Sequence, residues 1–296
     1  MTDARLDQDL AANLASTRIV AGCVRVHDIL ELRSQRALDG IDEAPAWVRD
    51  SLGAAPFVTV RRARAMPRTG DGGHGEGASP GQGASRVDAA LSPSSAGRPL
   101  LAVGVRGPAR DQRWACAVDT RHVLRVLRPP DLLAFVKRER ERDIPALREL
   151  RALTARWRDV AYAWGPAGSV GFELATGIAC VTPSSDLDIV LYADTPMARD
   201  EALRLHESLA DSLTRVDVLI ETPCCGFSLA EHATTPAAGS LLLRTADGPR
   251  LGQDPWTPAP RIALASEPDR GRVRLADGVS AENDVIVVSI ASAREI

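Results

Sequence analysis

The sequence predicts an α+β protein whose later half is α/β-like. Short apolar stretches at 56–63, 99–107 and 113–119 read as strands in the first half. From residue 160 onward, strand and helix patterns alternate. Within that alternation two acids, Asp186 and Asp188, stand one residue apart at the head of the apolar run "DLDIVLYA". A third, Asp217, is set in "RVDVLIET". A chain of 296 residues has room for one large domain or two modest ones.

Residues 1–20 form a weakly patterned, flexible lead; "MTDARLDQDLAANLAST" carries acids and no continuous apolar core, so it is not expected to be a signal peptide. "VHDILELR" has helical spacing with Asp28 as its N-cap, which gives His27 and Asp28 a capping or packing role. "PFVTVRRA" is a strand with a basic end. The segment 64–98 is rich in Gly, Ser and Pro. It offers too little apolar area to offset the entropy of ordering, and is expected to be a disordered insertion with His74 a bystander. "PLLAVGVRG" and "RWACAVD" are two strands separated by a basic turn, completing a smaller N-terminal α+β module over 21–128.

A second domain is expected over 129–256. It starts with the helical stretch 129–159, broken and restarted at Pro145, whose charged run 137–143 is a solvated helix face. "VAYAWG" is a strand ending at Gly165, and "SVGFELATG" a short helix opened by Ser169 and closed by Gly177. "DLDIVLYA" and "RVDVLIET" are strands linked by the helix "MARDEALRLHESLADSLT". "GFSLAEHAT" is a helix, and "GSLLLRTADGPRLG" a hairpin turning at Asp247-Gly248. Residues 257–296 form a C-terminal extension.

Composition excludes several classes. At 45% hydrophobic and 25% charged the chain reads as an ordinary soluble protein, and a net charge of −3 gives no global basic field for nucleic acid. No stretch reaches the roughly 18 apolar residues of a membrane span. The cysteines Cys23, Cys116, Cys180, Cys224 and Cys225 are scattered and form no C-x-x-C pair. They are expected to be buried reduced thiols in a cytoplasmic protein, without a zinc site. The basic residues are nearly all arginine, the better residue for bidentate phosphate contacts.

Side chains alternate along a strand, so Asp186 and Asp188 share a face. Two carboxylates so placed repel unless a cation joins them. Hard oxygen ligands suit Mg2+, which takes its remaining ligands from water and substrate phosphates. Asp217, on a neighbouring strand, completes a three-acid set able to serve an in-line displacement. Just upstream, Gly168-Ser169 opens a helix, where free amides and the helix dipole favour an anion. Each piece alone has an ordinary reading as cap, turn or strand start. Together and in this order they point to a metal-dependent nucleotidyl-transfer site.

"GS…SDLDIVL…VDVLIE" resembles the DNA polymerase β-like nucleotidyltransferase superfamily. The longer phrases "WGPAGSVGFELATG", "SSDLDIVL", "RVDVLIETP", "GFSLAEHA", "LLLRTADGPRL" and "DPW" resemble the malonate decarboxylase holo-[acyl-carrier-protein] synthase (phosphoribosyl-dephospho-CoA transferase) family. So do "RVHDILEL", "WVRDSL…PFVTVRRA" and "VGVRGPARDQRWA"; the likeness covers about 24–62 and 99–256. It implies a polymerase-β-like core. It also implies transfer of the prosthetic group from 2′-(5″-triphosphoribosyl)-3′-dephospho-CoA to a serine of the apo acyl-carrier subunit of malonate decarboxylase, releasing pyrophosphate. By the same likeness Asp186 and Asp188 are the essential ligands of Mg2+, or of Mn2+ in its place. Asp217 is the third carboxylate, able also to help deprotonate the serine, and Gly168 and Ser169 cradle the departing pyrophosphate. The citrate lyase carrier synthase shares this chemistry with another acceptor, and a non-catalytic binding protein could share the fold. Three features depart from the family pattern: the 64–98 insertion, the extension past 257, and "VHD" in place of Pro-His-Asp.

The donor carries several phosphates, and arginines gather near the N-terminal strands. Arg61, Arg62, Arg106, Arg110 and Arg113, with Arg244 in the C-terminal hairpin, are the candidates for donor or carrier contact. No nucleic acid or membrane partner is expected.

Overall fold

A computed structural model describes residues 24–62, 91–93, 99–107, 109, 112–136 and 142–257. The lead 1–20, Cys23, His74, Arg110, most of the 64–98 segment and the extension beyond Thr257 lie outside the described residues.

The first sheet contains β1 (Ile29–Leu32), β2 (Phe57–Val60), β3 (Leu91–Pro93), β4 (Pro99–Arg106), β5 (Arg113–Asp119) and β6 (Val123–Leu127). All its pairings are antiparallel: β4 carries β5 along one edge and both β2 and β3 on the other, and β2 leads through β1 to β6. The central strands β1 and β2 are mostly buried on both faces. Leu30, Val58 and Val126 face Val48 and Leu52 of helix α1 (Ala46–Ala54). Their strand neighbours Ile29, Phe57 and Leu127 join the core of the second half. The expected helix in "VHDILELR" is thus strand β1: a short run buried on both faces has no periodicity that separates helix from strand. Within the segment expected to be an insertion, Leu91–Pro93 pairs with β4.

Residues 129–159 give a short helix α2 (Pro129–Leu132), a 3-10 turn at Leu133–Phe135, and α3 (Pro145–Arg156) with Pro at its first position. Leu147, Leu150 and Leu153 line the buried stripe of α3, and its buried Glu149 accepts from the Leu213 amide at 2.8 Å. Then come β7 (Ala163–Pro166), α4 (Gly168–Thr176), β8 (Leu187–Tyr192), α5 (Arg199–Glu207), β9 (Val216–Glu221), β10 (Gly226–Ser228), α6 (Leu229–Thr234), β11 (Leu241–Thr245) and β12 (Gly248–Gly252). The second sheet has the order β12-β11-β10-β9-β8-β7; only β8 and β9 are parallel, joined by the α5 crossover.

Several boundaries differ from those expected. α4 starts at Gly168 with Ala167 as N-cap and no side-chain cap, so Ser169 does not open it; Gly177 closes it at φ 73 as expected. The helix expected over 197–214 ends at Glu207, beyond which the Ser208 hydroxyl accepts from Trp157 Nε1–H and Glu149 holds the Leu213 amide. "GFSLAEHAT" begins as strand β10 before Ser228 caps α6. Cys116, Cys180, Cys224 and Cys225 are free thiols; Cys180 is exposed, because it lies in the coil after α4 and not in the core. Among the described residues, no helix is long and apolar enough to cross a membrane.

Candidate active site

Parallel register builds the acidic wall. Asp188 of β8 lies beside Asp217 of β9, and Asp186 precedes β8 by one residue. The three carboxylates each offer an oxygen within 4.8 Å of the others. Burial pushes the Asp188 carboxyl above its usual range, and the charges of Asp186 and Asp217 push the same way against Arg106 and His27. Asp217 has a guanidinium at hand: Arg215 Nε donates to its Oδ1 at 3.0 Å. Clustered hard oxygen anions of this kind can hold a metal ion.

The N-terminus of α4 rests on that wall. The Ala167 amide donates to the Asp188 carbonyl at 2.8 Å. Gly168 has φ 56, and a Cβ there would fall 1.9 Å from Asp188 Oδ2. Only glycine permits both the left-handed backbone and the close approach of helix start to carboxylate. An anion received by the first-turn amides would therefore lie against the acidic cluster.

A cavity of about 660 Å³ opens here, lined by elements of both sheets. Asp188 and Asp217 face it from the second sheet, with Arg244 of β11 and Gly168 at the start of α4; Arg61, Arg106 and Arg113 face it from the first. Arg61 is laid across β4 at Gly104, where a Cβ would meet its Cδ at 2.8 Å. Asp186 shares the acid cluster without lining the cavity. Ser169 and Arg62 do not line it: Ser169 is buried in the first turn of α4, and Arg62 forms an ion pair with buried Glu221. Adjacent residues at a strand end point to opposite sides, so Arg61 and Arg62 part company.

Several cavity residues carried no sequence signal for this place. His27, read as a cap, lines the cavity and hydrogen-bonds Glu221 Oε1 through Nε2 at 3.0 Å. Thr59, Trp114, Phe172 and Arg215 line it too. Asp28 caps no α-helix: it is fully buried, accepts from the Arg25 amide at 2.8 Å, and burial pushes its carboxyl up to about 7.

A family model, the Phosphoribosyl-dephospho-CoA transferase MdcG C-terminal domain, matches residues 132–255. A phosphoribosyl-dephospho-CoA transferase of Pseudomonas aeruginosa is 37% identical over 217 residues, 73% of this chain and 86% of the relative. Another from Pseudomonas syringae pv. tomato is 37% identical over 230 residues, 78% of this chain and 92% of the relative. One from Azotobacter vinelandii is 35% identical over 234 residues, 78% of this chain and 93% of its own length. No solved structure matches.

Proposed function

The chain belongs to the phosphoribosyl-dephospho-CoA transferase family and is a transferase; from that premise we propose that it loads the apo acyl-carrier subunit of malonate decarboxylase. The donor is 2′-(5″-triphosphoribosyl)-3′-dephospho-CoA. A carrier serine oxygen forms the new bond to the phosphorus attached to the ribose, the bond from that phosphorus to pyrophosphate breaks, and a phosphodiester remains. The observation that carries this reading is the close approach of the uncapped α4 N-terminus to three clustered carboxylates, across a cavity from Arg61, Arg106 and Arg113.

In this reading Asp186, Asp188 and Asp217 hold Mg2+, with Mn2+ able to replace it. When bound, the ion supplies charge neutralisation at the phosphates during an in-line displacement. The amides at Gly168 and Ser169 receive the departing pyrophosphate, with the helix dipole behind them. Arg61, Arg106, Arg113 and Arg244 bind and orient the remaining donor phosphates. The strands and helices from β7 to β9 serve as a polymerase-β-like core within a domain over 129–256, and the first sheet belongs to a smaller module over 21–128 that lends Ile29, Phe57 and Leu127 to the same core.

The test is transfer of labelled donor to purified apo carrier, with Mg2+ and with EDTA, using the citrate lyase carrier as competing acceptor. Expected are label on the malonate decarboxylase carrier, its loss in EDTA, and a fall of at least about 10³-fold in the Asp186→Ala/Asp188→Ala double variant. Transfer that survives the double substitution would overturn the mechanism. Preference for the citrate lyase carrier would overturn the acceptor, and donor binding without any transfer would mark a non-catalytic protein.

A further inference from the structure

The segment Arg25–Asp28 clamps the first sheet onto the second. Arg25 lies 5.0 Å over the Tyr192 ring and pairs with Asp194 at 3.3 Å. The Tyr192 hydroxyl donates to the Val26 carbonyl at 3.3 Å. His27 then departs from ordinary geometry. Its φ is 75, a left-handed conformation uncommon for a residue with a side chain, and its amide is held by the Val60 carbonyl at 3.0 Å. Strained backbone of this kind persists where surrounding contacts over-determine it, and it gathers at functional sites.

The strain places an imidazole between a buried carboxylate and the cavity. Glu221 is nearly buried, at 7% exposure, while the His27 side chain keeps 27%. Burial pushes the Glu221 carboxyl up, but the His27 hydrogen bond and the Arg62 charge outweigh it and hold Glu221 ionised. Gly226 leaves room for the group: a Cβ there would come 2.6 Å from Glu221 Oε1. An ionised carboxylate only accepts hydrogen bonds, so His27 Nε2 must carry the proton it donates. With Nε2 donating, a base on this ring has to act through Nδ1, on a residue that lines the cavity with Asp188. The charged groups around it are Glu221 of β9, Arg62 after β2, Asp188 of β8 with Arg106 of β4, and Asp28 and Arg25 of its own segment.

We propose that His27, oriented by Glu221, is the general base that takes the proton from the attacking carrier serine. This rests on the transfer reaction proposed above. As the serine oxygen bonds to phosphorus, its proton passes to Nδ1, the bond to pyrophosphate breaks, and the imidazolium is stabilised by Glu221 until the proton leaves to solvent. Asp217 is less suited to this task, because its oxygens are committed to the cation site and to Arg215. A base outside the ligand set can accept a proton without releasing a ligand.

The experiment compares wild type, His27→Ala and His27→Gln in the carrier assay, with Mn2+ binding and donor affinity measured separately. Gln preserves a donor toward Glu221 and so preserves a clamp, but it cannot act as a base. Expected is a fall in kcat of about 10²–10³-fold in both variants, within the range for lost acid–base catalysis. Mn2+ binding and donor affinity should hold within about twofold. Added imidazoles should restore His27→Ala, and more so as their basicity rises. Near-full activity in His27→Gln, or an unrescued loss with weakened donor binding, would overturn the base and leave a clamp. Inactive wild type would instead mark failure of the transfer reading. In that case the nitrogen NMR tautomer of His27 still decides: a proton on Nε2 that Glu221→Gln perturbs supports the arrangement, and a proton on Nδ1 overturns it.

Discussion

On the wall formed by β8 and β9, three carboxylates meet through strand register. On the facing wall of β2, β4 and β5, arginines reach the cavity at the ends of long side chains. The first arrangement is fixed by backbone: the parallel pairing sets Asp188 beside Asp217, and Asp186 lies two residues before Asp188. The second depends on rotamers and on which side of a strand end each arginine leaves. A rigid anionic wall suits the reacting centre, where small displacements cost rate heavily. An adaptable cationic wall suits a large polyphosphate donor.

The rigid wall is the easier one to break. Gly168→Ala would drive a methyl group into Asp188 Oδ2 and force a side chain into φ 56. Relief requires the α4 N-terminus or the carboxylate to move. Since a displacement of about 1 Å can lower a rate about 10²-fold, the expected loss in kcat is of that order. Donor affinity should change less, because the arginine wall is untouched. A Gly168→Ala enzyme with full activity and an unshifted Mn2+ affinity would show that the close approach carries no function.

The acidic wall was readable in the sequence for the same reason that it is rigid. An i, i+2 acid pair at a strand start and an acid inside an apolar strand are local patterns, and strand alternation converts them directly into a shared face. The Gly-Ser turn was readable too, although its serine proved buried and its glycine the residue at the wall. The basic wall was readable only as a set: Arg61 and Arg62 look alike in "VRRA", yet one crosses Gly104 into the cavity and the other goes to Glu221. His27 and Glu221 are far apart in sequence, and nothing local joins them. They meet because β1 lies in one sheet and β9 in the other, and "VHDILELR" lacked the length to show which element it forms.

A second difference between the two halves lies in how they treat an acid. Of the triad acids Asp186 and Asp188 are half-buried and the Asp217 side chain is more open, and together they share charge that a cation can answer. Asp28, next to β1, is fully buried, and its Oδ1 has no partner among the described residues. Its carboxyl is pushed up to about 7 from 3.8, chiefly by burial. Between those values the folded chain retains a proton that the unfolded chain has released, so stability falls as pH rises toward 7 and stays lower above it. Asp28→Asn removes that dependence. At 1.36 kcal/mol per unit the full effect is on the order of 4 kcal/mol; about half is expected, since the new amide nitrogen is itself buried without a partner. In urea unfolding the variant should gain about 2 kcal/mol near pH 8 and be about 2 kcal/mol less stable than wild type near pH 4, where only the amide penalty remains. An equal gain at both pH values would mean that the carboxyl is not held protonated.

The arginine wall should yield the smallest effects, spread over several residues. Arg61 and Arg106 each line the cavity from the first sheet, and Arg106 also bears on Asp188. Losing one charge-assisted contact to a flexible phosphate chain is worth about 1–2 kcal/mol. Arg61→Ala and Arg106→Ala are therefore each expected to raise the donor KM about 5–30-fold. Their effects on kcat should differ. Arg61, whose stem is fixed across Gly104, acts on binding alone, whereas Arg106 also offsets the charge at Asp188, so its loss should lower kcat modestly as well. Higher salt should narrow the gap between each variant and wild type, because exposed cation–phosphate contacts are screened. If instead either variant lost kcat as severely as Gly168→Ala with donor KM unchanged, the division of labour between a reacting acidic wall and a binding basic wall would be wrong. That arginine would then belong to the group that stabilises the charge of the reaction itself.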